Sequence, residues 1–283
     1  MDTTAPPLEH LRAEIDRIDQ EILDLLIERS AVVRRIGDVK GDRLDGRSAL
    51  RPAREAQILR RLAERASGRF PAPVLVRMWR ELIAAQTRLQ GPLSVAVFAR
   101  EEGALQVWDL ARDHFGSATA MVPVDRAIQA LRSLGDGSAS VAVLPLPSDD
   151  ESWWVSLMSD HDVRLRVFAR LPFVSSHGDE VRALAIAQLE VEPSGDDLAL
   201  LAVEADPGLS RGRLRDLLLA VGLNPGWAST WRPATPPQAL HLVEVDSFIG
   251  DGDQRLAELQ KSAQGEVLRV VPVGGYARPL SLG

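Results

Sequence analysis

Apolar residues recur at Leu11, Ile15, Ile18, Ile22, Leu25 or Leu26, Val33 and Ile36, a spacing of three and four that predicts one helix over residues 8–41. No Gly or Pro interrupts it before Gly37. At ~1.5 Å per residue such a helix spans roughly 50 Å. That is too long for a 90-residue unit to cover by itself, so a second copy of the chain is the expected cover and a homodimer is predicted. The segment from Gly41 to Ser48 reads as a loop from its Gly, Asp and Ser content. A second helix is predicted over 52–66, with Pro52 at its first position. A third is predicted over 74–89, with Leu75, Met78, Trp79, Leu82 and Ile83 on its apolar face. Gly91 and Pro92 close it and mark a boundary.

Beyond Pro92 the pattern changes to short runs of β type. Strands are expected at 93–99, 141–146, 163–168 and 182–189, with helices at about 103–115, 125–134 and 152–160, which is an α/β alternation. From about residue 194 a further unit reads strand 198–204, helix 210–221, strands 227–232 and 240–245, helix 252–263 and strand 267–273. The order βαββαβ is the ferredoxin-like arrangement. Three units follow: 1–91 all-helical, 92–193 α/β, and 194–283 βαββαβ.

Charge sharpens this division. The chain of 283 residues has a net charge of −7, yet residues 1–90 hold 17 Arg and Lys against 14 Asp and Glu, while the remainder holds 16 against 26. The basic excess of the first unit is small and interleaved with acids, which argues against a nucleic-acid stripe and suits a small anionic ligand. Cysteine is absent, which excludes disulfides and thiol catalysis and fits a cytoplasmic protein. The first residues lack a basic stretch followed by an apolar one, so no signal peptide is expected. No run of ~18 uncharged apolar residues suggests a membrane span. Arginine outnumbers lysine 31 to 2, so Lys40 departs from the chain's habit of writing positive charge as arginine.

Candidate chemistry lies on the first helix's own stripe. After Leu26 the stripe continues through Arg29, Val33, Ile36 and Lys40. Arg29 and Lys40 are 11 residues apart, close to three turns, and share a face. Two cations on a face destined for burial are costly unless they meet anions. On the third helix Gln86 and Gln90 lie four apart and face the same way, and Arg54 and Glu55 follow the start of the second.

These residues carry a resemblance. The segment LRAEIDRIDQEILDLLIERSAVVRRIGDVKG resembles the first helix of the all-helical (AroQ-class) chorismate mutases, RPAREAQILRRL the start of their second, and WRELIAAQTRLQ the end of their third. The resemblance implies an intertwined dimer converting chorismate to prephenate, with no cofactor and no metal. It implies that Arg12 reaches in from the partner subunit, that Arg29 grips a substrate carboxylate, and that Lys40 and Gln90 address the substrate's ether oxygen. Arg54 and Glu55 match an Arg-Glu pair near the substrate, where the acid faces a hydroxyl or a neighbouring amide. Gln86 stands where some members have serine, and Arg51 where some have aspartate. Arg12 precedes Arg29 by 17 residues, ~260° around the helix and ~25 Å along it, so the two cannot serve one pocket from one chain.

The later units resemble a shortened prephenate dehydratase followed by an ACT regulatory domain, through DPGLSRGRLRDLLLAVGLNPGWASTWRP and GEVLRVVPVGGYARPL. The dehydratases' Thr-Arg-Phe triplet corresponds to Val181, Arg182 and Ala183, and valine has no hydroxyl proton to give, so no dehydratase activity is expected. Of the ACT effector motifs only Gly208, Arg232 and Pro233 match, which leaves an amino-acid effector as a candidate partner. Two other functions fit the helical unit: an isochorismate pyruvate lyase, and a non-catalytic ligand-sensing partner of an aromatic-pathway enzyme.

Overall fold

A computed structural model of the chain describes residues 7–40, 49–66, 68–99, 103–149, 151–159, 164–175, 181–233 and 238–281. The predicted loop 41–48 lies outside the described residues. The first helix, α1, runs Leu8–Lys40, and α2 (Pro52–Ala66) and α3 (Ala72–Gln90) follow. The buried positions of α2 are Ala53, Ala56, Leu59 and Ala63, one stripe at helical spacing. On α3 they are Val76, Arg80, Ala84, Gln86 and Thr87. No described residue of α1 is buried, and Ile15, Ile22, Leu25 and Ile27 are half exposed or more.

The remainder is built on one sheet. Its strands are β1 (Ser94–Phe98), β2 (Ala120–Val124), β3 (Val141–Pro145), β4 (Arg166–Leu171), β6 (Ala183–Ala187), β7 (Asp197–Ala205), β8 (Pro225–Trp231), β9 (Ala239–Val245) and β10 (Val267–Ala277). The two-residue strands β5 (Val174–Ser175) and β11 (Leu280–Ser281) pair separately. Helices α4 (Ala104–Phe115), α5 (Ala127–Gly135), α6 (Arg211–Ala220) and α7 (Gln254–Ser262) cover it. The strand order is β2-β1-β3-β6-β4-β10-β7-β9-β8. Its last four strands carry the βαββαβ unit, and β10 joins that unit to the first five by pairing with β4 at Gly274 opposite Val167. Gly274 has φ +156, and a Cβ there would stand 2.2 Å from the Val167 carbonyl oxygen, so only glycine permits this junction. The two α/β segments thus share a continuous nine-stranded sheet.

Several elements differ from the sequence expectation. The segment expected as a helix over 152–160 is a 3₁₀ helix, Trp153–Met158, because Trp153, Trp154, Leu157 and Met158 all drop into the core within so short a run. Strand β2 was not predicted. It lies at the sheet edge, mostly exposed, so it shows no apolar alternation, and its Pro123 is tolerated for the same reason. The strand expected over 163–168 starts later, at Arg166, and continues to fully buried Leu171, opposite Ala183. The last strand extends past Val273 to Ala277, through the Gly274 junction.

The helical segment docks on the sheet through α2 and α3. Phe173, just after β4, packs with Ala56, Leu59 and Val76, and Trp79 and Ile83 complete that cluster. Arg60 donates to the carbonyls of Ser194, Asp196 and Arg278. Glu81 accepts the Ser117 backbone N–H at 2.8 Å, and Arg77 pairs with Asp113. Gly116, at φ +84, ends α4 where a Cβ would meet Ala84 Cβ at 2.8 Å, so its conformation and close approach let α3 and α4 touch.

Candidate active site between the first and third helices

The C-terminal half of α1 lies along α3. Gln86 is 4% exposed and directs Nε2 toward the Ser30 hydroxyl at 3.5 Å, while Ser30 donates to the Leu26 carbonyl one turn back. Seven residues on, Gly37 faces Gln90, where an added Cβ would meet Cγ at 3.6 Å. Gln90 thus lies against α1, and its Nε2 donates to the Gln86 carbonyl at 3.4 Å. Arg29, beside Ser30, is half-buried, and its Nη1 is shielded from solvent with no hydrogen-bond partner. Burial lowers the pKa of that guanidinium from its ordinary value. A buried donor without a partner costs free energy that an anion would recover. The seam thus holds two amides of α3, and the adjoining position of α1 carries a cation with an unsatisfied donor.

Residues 11–91 match the family model described as chorismate mutase type II. That match covers the helical segment.

Curated relatives agree in kind. A bifunctional chorismate mutase/prephenate dehydratase of Pseudomonas aeruginosa is 29% identical over 147 residues, which is 51% of this chain and 40% of the relative. One of Aquifex aeolicus is 29% identical over 165 residues, 56% of this chain and 44% of the relative. The chain therefore spans less than half the length of either relative. Among solved structures, a prephenate dehydratase from Streptococcus mutans aligns with TM-score 0.46 at 12% identity, over 67% of this chain and 100% of that one.

Within the helical segment, the predicted site residues fall into three groups. Gln86 and Gln90 lie along the seam between α1 and α3, and Arg29 is the residue of α1 next to Ser30, half-buried with Nη1 unpartnered. Lys40 closes α1, less than one turn beyond Gly37, which places its backbone at the Gln90 end of the seam. Arg12 is exposed near the far end of α1 and is not joined to Arg29 within one chain. On α2, Arg54 is exposed, whereas Glu55 is engaged internally: its Oε2 accepts from Arg80 Nη1 at 2.8 Å and its Oε1 accepts the Arg51 backbone N–H at 3.4 Å.

Arg80 escaped the sequence reading. It lies on the buried stripe Val76–Arg80–Ala84–Thr87, so a charge on a helix face meant for burial, the signal that singled out Arg29, was there to be read. Its guanidinium sits 5.1 Å over the Phe173 ring. His114 of α4 is buried nearby, and burial together with the Arg80 charge holds it neutral, its pKa well below the usual histidine value.

The α/β segments present a different picture. The Arg182 carbonyl accepts from the Leu146 backbone N–H, and Ala183 is fully buried in β6. Arg211 is bound to both Asp149 oxygens at 2.8 Å and to the Thr230 hydroxyl at 2.7 Å, and that hydroxyl lies 3.0 Å from Nδ1 of buried His241. Among the described residues no helix is long and apolar enough to cross a membrane.

Proposed function

We propose that the chain is a chorismate mutase that acts as a homodimer, each site built from the α1–α3 seam of one protomer and Arg12 of the other. The observation that carries this is the buried, unpartnered Nη1 of Arg29 on the helix that Gln86 and Gln90 of α3 pack against. Conversion of chorismate to prephenate is an intramolecular rearrangement. It requires the enolpyruvyl arm to be held over the ring and the charge growing on the ether oxygen to be stabilised. Arg12 and Arg29 clamp the two carboxylates, bidentately where the forks align. Lys40 gives the ether oxygen a compact point charge and Gln90 a neutral N–H. Arg54 and Glu55 border the hydroxyl side. The exposed apolar stripe of α1 supplies the surface for the second copy.

The functional units keep the boundaries 1–91, 92–193 and 194–283, the last two sharing one sheet. In our reading the middle unit is inactive as a dehydratase, since Val181 offers no hydroxyl. An amino-acid effector, if bound, would meet the ACT-like unit at Gly208, Arg232 and Pro233, and a rise in melting temperature with phenylalanine registers it.

The test uses the full chain, because α2 and α3 bury their faces on the sheet. Chorismate incubated with the purified protein should disappear with equimolar formation of prephenate, and prephenate added alone should yield no phenylpyruvate. Unchanged chorismate, with salicylate and pyruvate formed only when isochorismate is supplied instead, would overturn the mutase assignment.

A further inference from the structure

The ion pair between Arg80 and Glu55 is the most enclosed one in the helical segment. The two side chains are 6% and 13% exposed and meet at 2.8 Å. Yet Arg80 Nε is buried with no partner, so the guanidinium is held off its best hydrogen-bonding arrangement. A buried pair of this kind contributes little net stability against an apolar replacement of the same size. Stability alone therefore does not account for it.

Its connections do. Glu55 stands in the first turn of α2, and its second oxygen takes the Arg51 N–H, so both carboxylate oxygens are directed by the protein. Arg80 comes from α3, the helix that also carries Gln86 and Gln90. Phe173 comes from the α/β body, where it covers the guanidinium face and closes the cluster with Leu59 and Val76. One arginine thus links the head of α2, the middle of α3 and the end of β4. The planar fork suits this task, since it fixes the orientation of a carboxylate as well as its charge.

We propose that Arg80 is a positioning residue of the mutase site: it fixes Glu55 at the head of α2, and Phe173 of the α/β body holds Arg80 in place. This rests on the mutase reading above. It gives the α/β body a part in the helical segment's chemistry, as the buttress behind one of the site's acids.

The test is a kinetic double-mutant cycle on the full chain, with wild type, Arg80→Gln, Glu55→Gln and the double variant assayed for chorismate turnover. A misplaced group near a reacting substrate costs on the order of 10–100-fold. Arg80→Gln should lower kcat/KM by about that factor, mainly through KM, because contact with a substrate hydroxyl is made in ground state and transition state alike. Glu55→Gln should lose a similar factor, and adding Arg80→Gln to it should cost nothing further. Arg80→Lys, which keeps the charge, should recover part of the loss, and Phe173→Leu should raise KM by less than Arg80→Gln does. If Arg80→Gln fails to fold, these two milder variants carry the test. Wild-type KM in Arg80→Gln, or in both Arg80→Lys and Phe173→Leu, overturns the proposal while leaving the mutase reading intact. So do independent, multiplicative losses in the cycle. Absence of turnover by the wild type overturns both.

Discussion

Arg29 of the helical half is in the opposite condition from several arginines of the α/β half. In the α/β half, Arg170 donates to Glu244 at 2.9 Å beside a Tyr276 hydroxyl that reaches the same oxygen at 2.6 Å. Arg255 grips Asp253, and Arg278 bonds Asp196 at 2.9 Å and also reaches Asp246. Those cations are spent on the fold. In the helical half, Arg29 keeps a buried Nη1 with no partner on a helix that buries none of its apolar stripe. A cation paired within the sheet is accounted for by the fold, whereas an unsatisfied buried donor is a place where an anion, as proposed above, would bind.

The largest way to break this contrast is to remove the second chain. Ile18→Glu with Ile22→Glu places two charges per protomer on the exposed stripe. Losing the burial of four such side chains across a dimer is worth on the order of 8 kcal/mol, enough to move a nanomolar dimer to the millimolar range. Sedimentation should then report a monomer and chorismate turnover should vanish, since Arg12 no longer reaches its neighbour's seam. A double variant that stays dimeric and active would show that the stripe is not the interface.

Next in size is the cation itself. Arg29→Met should lower kcat/KM by roughly 10²–10³-fold, as removal of a preorganised donor does, and Lys40→Ala should fall in the same range. Arg29→Met should nevertheless keep or raise the melting temperature, because it deletes a buried donor that the free protein leaves unsatisfied. A variant that loses stability along with activity would mark Arg29 as a structural arginine like those of the sheet.

How much of this was legible in the sequence follows from the physics of each half. The three helices were readable because their stripes are long and amphipathic, and α2 falls on residues 52–66 as expected. The candidate cations were readable because a charge on an apolar face is a local anomaly. What escaped depends on distant partners. Arg80 carries the same local anomaly as Arg29, but its partners, Glu55 25 residues away in sequence and Phe173 in another segment, do not show in it. The fusion of two expected α/β units into one sheet depends on Gly274 meeting Val167, which no local pattern encodes. Edge strand β2 gave no periodic signal because it buries almost nothing.

A smaller effect tests the polar interior of the α/β half. His241 is fully buried on β9, with Nδ1 near the Thr230 hydroxyl and Nε2 unpartnered. Burial, aided by the charges of Arg232 and Arg211, lowers its pKa to about 4. The unfolded chain titrates near 6.5, so it binds the proton first as pH falls. The stability contributed by the neutral ring is therefore complete above about 6.5, declines as pH drops, and stops declining at about 4. Between pH 7 and pH 5 this amounts to about 2 kcal/mol. His114, held neutral by burial and Arg80, adds in the same sense. Urea midpoints at the two pH values should differ by less in His241→Gln than in wild type, and an equal difference in both proteins would show that His241 is not the group responsible.

The smallest expected effect completes the contrast between paired and unpaired arginines. Arg278 is 39% exposed and its partners Asp196 and Asp246 are more so, which means that water already screens the pair. Its side chain bonds Asp196 and Asp246, and the backbone bonds it makes to Asp196 and Arg60 survive truncation. Arg278→Ala should therefore cost no more than about 1 kcal/mol, a fall of a few degrees at most in melting temperature. Turnover of chorismate should stay at the wild-type level. The same kind of truncation at Arg29 should do the reverse, sparing the fold and removing the chemistry. If Arg278→Ala lowered kcat/KM as Arg29→Met does, the state of pairing would carry no information about function in this chain.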